Sequence, residues 1–161
     1  MIRRLQKEAV MMENYSENGI RYEKINDNIF NWYVYLKDFD KDSNIQKSMD
    51  KYSVEHLKIE LIISDKHPFK PPFIRIISPI LVNWHSFITP GGSLCLDLLT
   101  GTGWAPTYQL VTLIIQLKVF IKDALINKDK LSEEYTLEDA HKWYTKTSRI
   151  HNWENSHKSI K

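Results

Sequence analysis

Apolar residues along this chain change period several times, and each change marks an element. Ile2, Leu5, Ala9 and Met12 recur in steps of three and four, which predicts an amphipathic helix over residues 2–14. Ser16 to Gly19 is a breaker cluster, Ile20 to Ile25 reads as a short strand, and Asn26-Asp27-Asn28 supplies its turn. Phe30, Trp32, Val34 and Leu36 then alternate with polar or amphipathic residues, the two-residue period of a half-buried strand. Residues 38–53 are polar and charged and are expected to form a long mobile hairpin loop. Leu57, Ile59, Leu61 and Ile63 restore the alternation, and Phe73 to Ile77 makes a fourth strand. Short turn-linked strands in succession predict an antiparallel meander.

The second half reads as helical. Thr107 is placed to cap a helix whose Leu110, Leu113, Ile114, Leu117 and Ile121 share one face. Val111, Ile115 and Phe120 widen that face, so the helix should be mostly buried and lie across the sheet. Thr136 to Asp139 forms a capping box for a last helix carrying Leu137, Ala140, Tyr144 and Thr147 on one side. The tail HNWENSHKSIK is polar apart from Trp153 and Ile160. The expected architecture is α+β: an N-terminal helix, a four-stranded antiparallel meander, a long loop, a central helix packed on the sheet and a C-terminal helix.

Composition narrows the function classes. A chain of 161 residues forms one domain, here a core over about residues 1–150 and a polar tail. The 22 basic and 20 acidic residues are interspersed, and a net charge of +2 gives no argument for nucleic acid. The longest uncharged run, residues 76–96, is broken by prolines, Asn83, His85 and paired glycines, which rules it out as a membrane span. The opening MIRRLQKEAV lacks the apolar centre of a signal peptide. With a single cysteine and no such signal, an intracellular reducing compartment is expected.

That cysteine, Cys95, lies in the stretch from His67 to Leu113, which opens with Pro68, Pro71 and Pro72. These prolines exclude helix interior and central strand. After Ile77 comes an irregular segment of about 30 residues, rich in Gly and Pro yet carrying Trp84, Leu94, Leu96, Leu98, Leu99 and Trp104. So much apolar surface argues for an ordered functional loop. Two readings of Cys95 stay open at this level. It is a small buried hydrophobe, or it is a nucleophilic thiol beside Gly91-Gly92 with His85, Ser86, Thr89, Ser93 and Asp97 as polar neighbours in sequence. No CxxC or HExxH spacing suggests zinc, and no signature of a cysteine protease is present.

The order of motifs goes further than the composition. His67-Pro68-Phe69-Lys70-Pro71-Pro72, then Gly92-Ser93-Leu94-Cys95-Leu96-Asp97, then Trp104-Ala105-Pro106 resemble, in order and spacing, the proline turn, cysteine segment and tryptophan-proline loop of the ubiquitin-conjugating enzymes. The resemblance covers roughly residues 1–150. It implies a carrier: Cys95 takes the C-terminal glycine of ubiquitin from an activating enzyme as a thioester and passes it to a protein substrate, with or without a RING-type ligase. No metal or organic cofactor is implied, because the activating enzyme uses the ATP. A monomer in the cytoplasm or nucleus is implied, with no nucleic-acid or membrane partner.

By position, Phe69, Ala105, Pro106 and Thr107 resemble the family's two-loop apolar patch for ligases and the activating enzyme. Arg3, Arg4 and Lys7 resemble the basic helix face that docks on the activating enzyme. Each has a plainer alternative: a solvated helix face, a core cap or a helix start. His85 and Asp97 fall beside the cysteine loop as its support. The sulfur is expected at the mouth of a shallow groove, open to a visiting peptide tail.

One position departs from the family. Its usual His-Pro-Asn, ending eight residues before the cysteine, is His85-Ser86-Phe87 here. Phe87 donates no side-chain hydrogen bond, and loss of one oxyanion donor costs about 3 kcal/mol in well-studied cases. The departure, with YTLEDAHKWYTKTSRIHNW near the C-terminus, is similar to the Q-type branch, which also lacks the Asn and is associated with hydroxyl as well as amine acceptors. His151 falls at the histidine ending that branch's C-terminal helix, a natural base near neutral pH. Its plainer alternative is a helix-end histidine favoured by the dipole. Two other functions remain: a non-catalytic ubiquitin-binding or scaffold variant, and a conjugating enzyme for another ubiquitin-like modifier.

Overall fold

The computed structural model describes residues 1–82 and 87–151. It opens with helix α1, Ile2–Glu13, which buries Leu5, Ala9 and Met12 as the spacing predicts and leaves Ile2 half exposed. Strands β1 (Ile20–Lys24), β2 (Asn31–Leu36), β3 (Leu57–Ile62) and β4 (Phe73–Ser78) pair in sequence order, each antiparallel to the next. Helix α3, Leu110–Ile121, covers this meander, and the chain continues to helix α4, Leu137–Ile150. Two short strands, β5 (Leu81–Val82) and β6 (Leu125–Ile126), pair beside the main sheet. Among the described residues no helix is long and apolar enough to cross a membrane.

Three expectations are corrected. Residues 38–53 are not a loop: Asn44–Tyr52 form helix α2, capped by the Ser43 side chain, which accepts from the Gln46 N–H at 3.2 Å. Ile45 and Met49 sit one turn apart and are buried, and so anchor the helix; with Phe39 they are the three aliphatic or phenyl side chains among sixteen residues, too sparse to show a helical period. Thr107 does not cap α3. The N-cap is Gln109 with no bond from its own side chain; the Leu110 N–H donates instead to Glu8 Oε2 at 2.9 Å, from α1. A buried carboxylate on another helix thus satisfies one of the amides that every helix start leaves unpaired. Finally, Val111 is buried but Ile115 and Phe120 are exposed, so α3 keeps one wet side.

The sheet has two unlike faces. Trp32, Val34, Leu36, Leu57, Ile59, Leu61, Ile74 and Ile76 point to one side and join Leu110, Leu113, Ile114, Leu117 and Ile121 of α3 in the main core. Because successive strand residues alternate, Ile62 and Phe73 face the other way. There they form a separate small cluster with Cys95 and with Ala140 and Tyr144 of α4.

Candidate functional site

The segment around Cys95 is more regular than its sequence. Residues 92–94 add to the edge of β4, with the Ile76 N–H donating to Gly92 O (2.8 Å) and the Leu94 N–H to Ile74 O (2.9 Å). The chain doubles back on itself before that: the Cys95 N–H donates to Phe87 O at 2.8 Å and the Thr89 N–H to Ser93 O at 2.9 Å. Thr89-Pro90-Gly91-Gly92 is the turn, closed by the Gly92 N–H to Thr89 O at 2.8 Å. Proline and glycine suit its second and fourth positions. Gly92 has φ of +85°, and a Cβ there would press into the Tyr135 ring; one on Gly91 would collide with the Asp139 carbonyl and Trp143. The glycines are therefore needed for close approach of α4 as well as for the turn.

Strand alternation then decides where the sulfur points. Leu94 enters the main core, so Ser93 and Cys95 face α4. Cys95 is only 7% exposed. This corrects the expectation of a thiol at the mouth of an open groove: α4 covers the face on which it lies. Burial pushes its pKa up to about 12, opposed by a hydrogen bond from Ser93, so the thiol is protonated in this state.

Phe87, standing where the family has Asn, packs its ring against Phe120 of α3, with centroids 5.5 Å apart and planes at 52°. Its carbonyl holds the Cys95 amide, which is thereby engaged and not free to bind an oxyanion. Asp97 is exposed, at the start of the short 3₁₀ turn Asp97–Leu99 that follows the cysteine. His85 lies outside the described residues, as do Trp84, Ser86, Trp153 and Ile160. His151 is exposed at the C-cap of α4, its N–H donating to Thr147 O at 3.1 Å. At 1.5 Å of rise per residue it lies about 10 Å along the helix axis beyond Tyr144.

A histidine not singled out from the sequence comes nearer the cysteine cluster. His141 stacks on Phe73 with centroids 4.6 Å apart and planes at 6°, and burial lowers its pKa. The signal was available, because residue 141 lies one and three positions from Ala140 and Tyr144 on the same helix, but nothing in the sequence showed that this face meets Phe73.

Away from the cysteine, the two loops assigned to docking do come together. Trp104 Nε1 donates to Pro68 O at 2.6 Å, tying the tryptophan loop to the proline turn. Phe69 is 78% exposed, Pro106 and Thr107 are exposed and Ala105 half-buried. Arg3 and Lys7 are exposed on α1, whereas Arg4 is held internally: its Nε donates to Glu8 Oε1 at 2.7 Å and its guanidinium to Tyr108 O at 2.9 Å. His67 is buried beneath this junction, its ring 6.3 Å from that of Trp104 and neither nitrogen hydrogen-bonded among the described residues. Burial, then the Arg4 and N-terminal charges, drop its pKa to about 4, so it is neutral. Among the described residues no three His, Cys, Asp or Glu side chains gather to hold a metal.

This meander, with its crossing helix and single cysteine on a hairpin at the sheet edge, defines a conjugating-enzyme fold. Solved structures share it: human ubiquitin-conjugating enzyme E2 G1 superposes with a TM-score of 0.60, covering 74% of this chain and 92% of that one at 18% identity. A putative ubiquitin-conjugating enzyme from Plasmodium yoelii gives 0.61, covering 92% and 90% at 24% identity. The family model for ubiquitin-conjugating enzymes matches residues 4–151, and the chain belongs to that family.

Its relatives place it in the Q-type branch. Over 110 residues it is 36% identical to the ubiquitin-conjugating enzyme Q-like protein 1 of Mus musculus, covering 68% of this chain and 67% of that protein. A Q-like ubiquitin-conjugating protein of Drosophila melanogaster is 30% identical over 155 residues, 92% of this chain and 50% of its own length. Human ubiquitin-conjugating enzyme E2 Q1 is 27% identical over 145 residues, 86% and 34% respectively. The chain thus spans about two thirds, half and one third of these three relatives.

Proposed function

We propose that this chain is a ubiquitin carrier that loads on Cys95 and discharges to amine or hydroxyl acceptors. The observation that carries this is positional: the chain's one cysteine sits on the edge hairpin between the proline turn and the tryptophan-proline loop, inside the family-matched region. In loading, the Cys95 thiol gives up its proton, which the departing thiolate of the activating enzyme can take up, as its sulfur attacks the thioester carbonyl carbon of the ubiquitin that enzyme holds. A new S–C bond forms, the old one breaks, and the activating enzyme's thiolate leaves. In discharge, an amine or hydroxyl attacks the same carbon, the Cys95 thiolate departs, and the acceptor's proton passes to a base. A thioester is activated toward such attack, so one difficult acylation becomes two easier ones. ATP is consumed by the activating enzyme, and this chain needs no metal or organic cofactor.

Phe69, Ala105, Pro106 and Thr107 would receive the RING-type ligase and, with Arg3 and Lys7, the activating enzyme. For Arg4 the bracket to Glu8 and Tyr108 supports a mainly structural part. His151 is the base we assign to hydroxyl acceptors. Phe87 and Phe120 would support the cysteine hairpin by packing in place of the missing Asn. The protein acts as a monomer in the cytoplasm or nucleus.

The burial of Cys95 favours a second reading, a ubiquitin-binding variant that forms no thioester. One assay separates them. Incubated with activating enzyme, ATP and ubiquitin, the carrier forms a reductant-sensitive adduct, Cys95→Ser a reductant-resistant one, and Cys95→Ala none. The absence of any adduct with ubiquitin rules the carrier reading out, and adduct with a different modifier alone reassigns it. In the same assay His151→Ala loads normally and discharges to serine or glycerol at least about 100-fold more slowly; an unchanged discharge rate removes His151 from the mechanism.

A further inference from the structure

Helix α2, which the sequence concealed, builds one wall of a groove that the carrier reading does not use. The helix is fixed at its start and along its inner face: the Ile45 N–H donates to Lys122 O at 3.1 Å, just past α3, and Ile45 and Met49 are buried. Across from it stands the β5–β6 ribbon, extended by the Asn127 N–H, which donates to Ile80 O at 2.8 Å. Between these walls lies a hollow of about 670 Å³. Its apolar lining is Tyr52 of α2 with Val82 and Leu125 of the ribbon, and Leu125 is 47% exposed whereas its neighbour Ile126 is buried. Three cations border that lining, Lys47 and Lys51 on α2 and Lys128 just past β6, against one carboxylate, Asp129. All three lysines are exposed, and among the described residues none of them forms an ion pair. Cations elsewhere are engaged: Arg75 with Glu60, Lys130 with Glu133, and Lys118 with the Asn18, Lys37 and Asp38 carbonyls. The groove shares no residue with the cysteine cluster, the proline turn or the tryptophan-proline loop.

We propose that this groove is a docking site for an acidic peptide segment of a partner protein, one in which acidic and apolar residues alternate. Lys47 and Lys51 are four apart on a helix, which sets their Cβ atoms about 5–6 Å from each other. Residues two apart on an extended peptide are about 6.6–6.8 Å apart and point the same way. Two acidic side chains so spaced meet both lysines, and the residue between them turns to the ribbon, where Leu125 and Val82 offer an apolar seat. Exposed ion pairs are individually weak, so the apolar contact holds the peptide while the excess of cations selects its sign. The site works independently of the thioester chemistry and needs neither ubiquitin nor Cys95.

Fluorescence anisotropy on the full chain tests the site, with the fluorescein-labelled peptide Gly-Glu-Leu-Glu-Leu-Glu-Gly as probe. The peptide should bind saturably, and Lys47→Glu combined with Lys51→Glu should weaken it about tenfold or more. Leu125→Ser should weaken it about fivefold. Lys142→Glu combined with Lys146→Glu makes the same charge change at exposed positions of α4 and should leave binding within about twofold. A peptide with Gln in place of each Glu should bind about tenfold more weakly and lose the salt dependence of the original. The substituted lysines are all exposed, so an unchanged circular dichroism spectrum separates lost binding from lost folding. No saturable binding, or equal losses for the α2 and α4 pairs, would overturn the site. A labelled oligothymidylate that binds more tightly than the peptide would overturn it in favour of nucleic acid. A concentration-dependent dimer that disappears with Lys47→Glu and Lys51→Glu would overturn it in favour of a second copy of the chain.

Discussion

The two faces of the sheet are built to different standards. Against α3 lies a continuous apolar core in which Trp32, Val34, Leu36, Leu57, Ile59 and Leu61 are each fully buried. Against α4 lies a five-residue cluster with a thiol inside it, flanked by the Arg75–Glu60 pair. The first arrangement holds the fold, because close-packed side chains lose contacts whichever way they move. The second is small, is bordered by polar and aromatic contacts, and contains the chain's one thiol. Stability and reactivity are thus placed on opposite sides of the same four strands, and the residues of β3 and β4 alternate between them.

Truncation on either face tests that division. Leu61→Ala should cost about 3–4 kcal/mol in urea denaturation, because it opens a cavity in the main core. Tyr144→Ala removes a larger side chain, yet it does so from a cluster of five residues with fewer apolar neighbours to lose. Its cost should fall below that of Leu61→Ala, at about 2 kcal/mol. A larger loss for Tyr144→Ala than for Leu61→Ala would mean that the two faces form one cooperative unit after all.

The next effect comes from His67. Its folded pKa of about 4 lies below the ordinary value of 6.5 because the buried ring resists a proton. Between those two values the unfolded chain takes up a proton that the folded chain does not. The favourable contribution is therefore complete above about pH 6.5 and is lost as pH falls towards 4, by on the order of 3 kcal/mol. Urea midpoints measured from pH 7.5 down to pH 4.5 should fall for the wild type and fall less steeply for His67→Phe. Parallel slopes for the two chains would show that some other group carries the acid sensitivity. The smallest effect on stability should be at Phe69, which is so exposed that Phe69→Ala stays within about 0.5 kcal/mol of wild type. The same variant should weaken ligase-stimulated discharge about tenfold or more, and full ligase stimulation would remove Phe69 from the docking patch.

What was legible in the sequence follows from local rules. The β2 and β3 alternation, the apolar stripe of α3 and the capping box at Thr136 all appear in the structure, since each depends on spacing within one element. The proline turn, the cysteine and the tryptophan loop were legible as an ordered set of motifs, and the family match covers them. Helix α2 was missed because two buried apolar residues, Ile45 and Met49, with the small Ser48 between them, suffice to dock it. The cap of α3 was missed for a different reason: Glu8 is 102 residues from the amide it serves.

The sequence by itself determined the order of α1, the four meander strands, α3 and α4, the face that β2 and β3 turn to the main core, and the place of a lone cysteine between two loops. Tertiary structure alone decided what lies on the other side of that cysteine. Periodicity within a segment records which residues must leave water, but it does not record which partner covers them. Strand alternation sent the Cys95 side chain away from α3, and only the path of the chain after Tyr135 brought Ala140 and Tyr144 into its cluster.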